Sequence, residues 1–324
     1  GKFLKGQANS QIKILLQREG ENKPLEKTMN REEIKIKAVS YSGMISENTG
    51  YIKLTAFTQG AANEVKEALM NLKKNEKFNS LVFDLRGNPG GLLLEAVDIV
   101  NLFVDKGTEI VSTKGKVQDW NSTNTARNAP VDKNVPIAVL VDRGSASASE
   151  IVSGSLQDLD RAVIIGQRSY GKGLVQQTRP LSYNAQLKVT VAKYYIPSGR
   201  CIQALDYSHR NEDGSVDKVP DSLISAFKTK NGRIVYDGGG IMPDYFVPLD
   251  TTDSSQALNA YYNTNTIQEF AFGYSEKNKK VLSDMGLKPF LSDFIISDQL
   301  FDDLLKLGAK NGIPSNIKIS SSEK

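Results

Sequence analysis

The sequence of 324 residues is 39% hydrophobic and 24% charged, enough to bury a sizeable core in one large domain or two smaller ones. Its 41 basic and 37 acidic residues leave a net charge of +4 with no long single-sign block, which argues against nucleic-acid binding and against a polybasic membrane patch. A single cysteine, Cys201, excludes an intrachain disulfide, and with a single histidine, His209, a zinc site of nitrogen and sulfur ligands is not expected. No apolar run approaches the roughly 18 residues of a membrane span, and Gly1 to Gly6 hold no signal-peptide core, so any signal or lipid anchor is expected upstream of Gly1.

Along the chain, residues 1–38 read as a β-rich fragment. Gln11 to Leu16 alternates, Glu19-Gly20-Glu21-Asn22 turns, and Ile34-Lys35-Ile36 alternates again. From Gly50 the pattern becomes strand and helix in turn. A strand at Tyr51–Leu54 precedes a helix near Ala61 to Lys73, in which Ala61, Val65, Ala68, Leu69 and Leu72 recur at helical spacing. An apolar strand from Ser80 to Leu85, a Gly-rich turn and a helix through Leu94, Val97, Ile99, Val100 and Phe103 follow. The strand Val135–Val141, a helix near Ser149 to Leu159 and the strand Ala162–Ile165 come next.

This order predicts a mainly parallel sheet with covering helices. The alternation at Lys188–Ile196 predicts an antiparallel or edge strand finishing the same sheet, residues 206–240 read as loop-rich, and the apolar spacing beyond Thr251 predicts a helical C-terminal region. Ser320 to Lys324 reads as a disordered end.

The run Ser145-Ala146-Ser147-Ala148-Ser149-Glu150 joins an apolar strand to a helix through small residues. A serine at such a junction projects from the sheet edge, beside free N–H groups that can stabilise an oxyanion. These serines would equally serve as helix caps, with Glu150 suited to the first turn. A serine nucleophile needs a base. His209, in the polar stretch running on to Gly214, reads as an exposed loop residue, which leaves Lys, Asp or Glu. Lys172, between Gly171 and Gly173, would act if shielded from water, so that its neutral amine is favoured; otherwise it is an ordinary loop lysine. The phosphate-loop pattern is incomplete around it.

Taken together, Asp84-Leu85-Arg86-Gly87-Asn88-Pro89-Gly90-Gly91, Ser145 to Glu150, Gly171-Lys172-Gly173-Leu174-Val175-Gln176, Tyr195 to Arg200 and Gly239 to Asp244 resemble the carboxyl-terminal processing (tail-specific) serine peptidases. The resemblance implies a peptidase core of the ClpP/crotonase type at residues 39–250, with a helical region at 251–324. It implies Ser147 as nucleophile, Lys172 as general base and Gln176 as the residue orienting the lysine amine. The backbone N–H groups of Ala148 and of Gly91, or else Gly90, would form the oxyanion hole.

The first 38 residues resemble the second half of a PDZ domain, whose first half is absent from the sequence. The family works without metal or organic cofactor on protein or peptide substrates with accessible C-termini, in the periplasm or cell envelope, which leaves room for envelope anchoring through an N-terminal segment and for homo-oligomers. Two other readings compete with endoproteolysis: a catalytically inactive or gated peptide-binding scaffold of the same fold, and another acyl-transfer enzyme.

Overall fold

The computed structural model describes residues 3–18, 23–34, 36–207, 210–249, 255–314 and 317. The turn expected at Glu19–Asn22, the loop around His209 and the end at Ser320–Lys324 lie outside the described residues. The chain divides into two compact units, Gly1–Val247 and Pro248–Lys324.

The first unit begins with an antiparallel hairpin of β1 (Gln11–Leu16) and β2 (Leu25–Asn30). Arg31 ties its base, donating from Nε to Leu4 O at 3.0 Å and from Nη1 to Ser10 Oγ at 3.0 Å. The hairpin closes no core: Leu15 and Met29 remain exposed. Ile34 and Ile36 form no strand and are 82% and 83% exposed, so the alternation there was not a pairing signal.

The body follows as β3 (Val39–Met44), β4 (Thr49–Leu54), α1 (Ala61–Leu72), β5 (Ser80–Asp84), α2 (Leu93–Asn101), β6 (Glu109–Lys114), β7 (Ser122–Thr125), β8 (Ile137–Val141), α3 (Ala148–Asp158), β9 (Val163–Gly166), β10 (Leu174–Pro180), β11 (Gln186–Tyr195), β12 (Ala226–Lys228), β13 (Ile234–Tyr236) and β14 (Tyr245–Phe246). Six of these strands form the central sheet in the order β14-β9-β8-β5-β4-β3. Every pairing in it is parallel except β3 with β4. Consecutive parallel strands need crossovers, and the amphipathic helices supply them, burying Val65 and Leu69 from α1, Val97 and Val100 from α2, and Ile151, Val152 and Leu156 from α3 against Ile52, Phe83, Val139 and Ile164 of the sheet.

β11 does not finish this sheet. It pairs antiparallel with β10 and β6 in a separate sheet of order β10-β11-β6-β7, and β14 takes the edge beside β9 instead. The alternation of β11 correctly marked a half-buried antiparallel strand but carried no information on its partners. β2, β3, β6, β7, β10, β12, β13 and β14 were not anticipated as strands.

The second unit consists of α4 (Gln256–Asn263), α5 (Thr266–Lys277), α6 (Lys279–Met285), α7 (Leu287–Asp293) and α8 (Asp298–Lys310), as the helical spacing predicted. Ser255 and Ser297 cap α4 and α8, their side chains accepting from Leu258 N–H and Leu300 N–H. Aromatic side chains line a partly open groove in this unit, with Phe290 and Phe294 stacked at 4.6 Å between ring centroids.

Candidate active site

Three loops meet at the C-terminal ends of the parallel strands, where open α/β sheets place their ligands. One leaves β5 as Leu85–Leu92, the second leaves β8 as Asp142–Ser147, and the third leaves β9 and runs through Lys172 into β10. Asp142 Oδ1 joins the first two, accepting from Gly87 N–H and from Gly144 N–H, each at 2.9 Å.

Among the serines of the second loop the structure discriminates sharply. Ser145 and Ser149 are fully buried, and their hydroxyls donate to Leu85 O at 2.8 Å and to Asn88 O at 2.9 Å. Ser147 is partly exposed, with φ 56° and ψ −113°, a conformation that costs a non-glycine residue on the order of 1–3 kcal/mol. It sits at the sharp turn between β8 and α3, the geometry that exposes a nucleophilic hydroxyl. Surrounding bonds hold the strain: Ser147 N–H donates to Glu150 Oε2 at 2.8 Å, and Ser147 O accepts from Glu150 N–H and Ile151 N–H, each at 2.9 Å.

Gly90 and Gly91 bring the first loop against this turn. A Cβ at Gly90 (φ 97°) would lie 2.6 Å from Ala146 O and 2.9 Å from both Ala148 N and Ser147 Cβ. At Gly91 (φ 155°) it would lie 2.3 Å from Phe57 O. Only residues without a side chain allow that approach. Of the candidate oxyanion donors, Gly90 N–H is already bonded to Asn88 Oδ1 at 2.9 Å, which removes Gly90 from that role. Among the described residues, the N–H groups of Ala148 and Gly91 have no acceptor.

Glu150 fastens the second loop to the third. Its carboxylate is fully buried and accepts four hydrogen bonds: Ser169 Oγ–H and Gly171 N–H on Oε1, each at 2.6 Å, and Ser147 N–H and Lys172 N–H on Oε2, each at 2.8 Å. Burial pushes this carboxyl above its ordinary range, against the opposing pull of those donors. Ser169 Oγ in turn accepts from Ile241 N–H at 2.7 Å, which brings in the Gly239–Asp244 motif. The sequence showed Glu150 only as a first-turn acid; the Ser-x-x-Glu spacing of a capping box was the signal available.

Lys172, on the third loop, and Gln176, in β10, are both exposed, so the shielding from water on which the role of Lys172 depends is not seen. Among the described residues no hydrogen bond joins either of them to Ser147. The loops that carry nucleophile and lysine are thus locked together through the Glu150 carboxylate and a bond from Tyr170 N–H to Ser145 O, while no side-chain bond pairs Ser147 with Lys172 among the described residues. Catalytic hydrogen bonds are often long before substrate is bound.

On the rim, Asp84 at the end of β5 is fully buried and accepts from Tyr51 Oη–H at 2.5 Å and from Arg86 Nη2 at 2.8 Å. Burial would raise its carboxyl, but the Arg86 guanidinium and the Tyr51 hydroxyl hold it below its ordinary value. No group of three or more His, Cys, Asp or Glu side chains suited to a metal occurs among the described residues.

Comparison with known proteins agrees with this geometry. Residues 48–208 match the model of peptidase family S41, and residues 257–324 match a family of unknown function. A carboxy-terminal-processing protease of Bartonella bacilliformis is 42% identical over 205 residues, which cover 62% of this chain and 46% of that protein. A probable CtpA-like serine protease of Staphylococcus aureus is 33% identical over 310 residues, 94% of this chain and 53% of that protein. The chain therefore spans about half the length of the curated relatives it matches. Among solved structures, the photosystem II D1 C-terminal processing protease superposes with a TM-score of 0.50 at 26% identity, covering 75% of this chain and 56% of that one. The parallel sheet, the strained serine and the matched model agree that the chain carries a peptidase family S41 domain and is related to the carboxy-terminal processing proteases.

Proposed function

We propose that the protein is a serine endopeptidase that cleaves protein substrates near their C-termini through an acyl-enzyme on Ser147. The observation that carries this reading is the strained turn at Ser147 with two open N–H groups, those of Ala148 at the start of α3 and of Gly91 on the Gly-rich loop. Ser147 Oγ adds to the scissile carbonyl while its proton passes to the amine of Lys172, which can accept it only where bound substrate shields it from water. The carbonyl oxygen, now negative, takes hydrogen bonds from Ala148 N–H and Gly91 N–H. Collapse expels the new amine terminus, which receives the proton from Lys172. Water then adds to the ester, one of its protons going to the Lys172 amine, and the second collapse passes that proton to Ser147 Oγ and frees the carboxylic acid, which ionises. Gln176 orients the lysine amine, the role that the family resemblance implies.

Substrates with accessible C-termini are inferred from the chain's similarity to the carboxy-terminal processing proteases. So is a place in the periplasm or cell envelope, by the family resemblance; no helix among the described residues is long and apolar enough to cross a membrane. The hairpin at residues 1–38 is read as the second half of a PDZ domain, a module that captures peptide ends by strand addition. The exposed Lys172 gives a second reading some weight, a gated or inactive peptide-binding form of the same fold.

A fluorophosphonate probe separates the two. The peptidase reading expects labelling at Ser147, mapped by mass spectrometry, that is abolished in Ser147→Ala and falls by about 10²-fold or more in Lys172→Ala. Absence of labelling together with tight, uncleaved binding of an unstructured peptide would support the gated form.

A further inference from the structure

Asn88 takes no part in the proposed chemistry, yet it is fully buried and every polar group it carries is engaged. Its Nδ2 donates to Leu54 O, the last carbonyl of β4, at 2.9 Å, and its Oδ1 accepts from Gly90 N–H at 2.9 Å. Its own carbonyl accepts from Ala146 N–H at 3.0 Å and from Ser149 Oγ–H at 2.9 Å, and its N–H donates to Leu85 O at 3.2 Å. A buried carboxamide satisfied at both ends is fixed in rotamer and orientation.

Two consequences follow for the open N–H groups. Because Asn88 Oδ1 takes the Gly90 N–H, the next peptide, that of Gly91, is the one left to face an oxyanion. The two bonds onto Asn88 O grip the nucleophile turn at Ala146 and Ser149, on either side of Ser147 and Ala148. One residue, anchored to the central sheet through Leu54, thereby sets the position of both donors, although one opens α3 and the other stands on the loop after β5. A plain Asn-Pro-Gly turn would account for the bond to Gly90 N–H but not for the bond to Leu54 O or the two bonds onto the Asn88 carbonyl.

We propose that Asn88 is a positioning residue of the oxyanion hole, acting through Gly90 on Gly91 and through its carbonyl on Ala148. The inference rests on the peptidase reading above.

The test uses the full chain as wild type, Asn88→Ala, Asn88→Asp and Ser147→Ala, with fluorescein-labelled casein as substrate. It also uses two probes, N-acetyl-Ala-Ala-alaninal and the matching alcohol. The aldehyde forms a hemiacetal oxyanion with the serine; the alcohol does not. Asn88→Ala is expected to lower kcat by about 10²-fold with KM changed less than about threefold, the loss typical of a removed oxyanion donor. It is also expected to weaken the aldehyde by a similar factor and the alcohol hardly at all.

Asn88→Asp keeps the shape and the acceptor for Gly90 N–H, but donates to Leu54 O only when protonated. Its activity relative to wild type should therefore rise as pH falls, and this variant carries the test should Asn88→Ala fail to fold. Wild-type kcat retained within about twofold in Asn88→Ala, parallel weakening of aldehyde and alcohol, or a pH-independent ratio for Asn88→Asp would overturn the proposal. A wild type that neither cleaves casein nor labels at Ser147 would instead overturn the peptidase reading, and this inference with it.

Discussion

A methyl group at Gly90 would collide with Ala146 O and Ala148 N, so one missing side chain keeps the Gly-rich loop seated on the nucleophile turn. Gly90→Ala should slow fluorophosphonate labelling of Ser147 by about 10²-fold, the scale of a catalytic group misplaced by about an ångström. Gly107→Ala is the control. Gly107 also has a positive φ, 88°, but a Cβ there meets nothing within 4 Å, so its cost is backbone strain away from the site and labelling should be unchanged. Equal slowing in both variants would show that strain alone, not the close approach, governs the site. At this scale the sequence was legible for Ser147, whose place at a strand-to-helix junction could be read from small residues between an apolar run and a helical one. It was not legible for Asn88, Asp142 or Glu150. Asp142 and Glu150 act by accepting main-chain N–H groups from loops far away in sequence and Asn88 by donating to Leu54 O, and no local spacing encodes a partner 21, 34 or 55 residues distant.

Elements were read well where burial imposes a period. α1, α2, α3, β5, β8 and β9 lie within a few residues of their expected bounds because each packs an apolar face on the central sheet. The failures share a cause. β11 and residues 34–36 both alternate, but β11 gained its partners in β10 and β6 while Ile34 and Ile36 gained none. Alternation reports a face, not a neighbour. In the helical unit, the caps were not singled out from sequence, and their worth can be measured. Ser297→Ala removes the acceptor for Leu300 N–H at the start of α8 and should destabilise that unit by about 1 kcal/mol in a denaturant titration followed by circular dichroism, whereas Ser297→Asp should hold within a few tenths. Equal loss in both would mean that the cap bond contributes nothing there.

Across the first unit, the Tyr195–Arg200 motif turns out to be a clamp. Arg200 is 1% exposed and donates to Asp158 Oδ1 at 2.8 Å, Gln157 Oε1 at 2.8 Å and Tyr236 O at 3.0 Å, joining the end of α3 to β13. Asp158 Oδ2 also accepts from Ser198 N–H at 3.0 Å. Removing one partner of a buried ion pair strands the other, so Arg200→Ala should cost about 3–5 kcal/mol in urea unfolding. A loss below about 1 kcal/mol would show that the clamp is dispensable.

By itself the sequence determined the alternation of strand and helix from β4 to β9 within the first unit, the mainly parallel sheet, the serine at its edge and, through the spacing of five motifs, the kinship with carboxyl-terminal processing peptidases. Periodicity and turn chemistry are local properties, and local properties survive in a linear text. Only the tertiary structure decided that β11 belongs to a second sheet, that Gly91 and not Gly90 keeps an open N–H, that Glu150 bolts the serine loop to the lysine loop, and that Lys172 stands exposed. Each of those depends on which distant backbone group fills a given hydrogen bond, and that is settled when the strands pair and the loops at their ends are brought together.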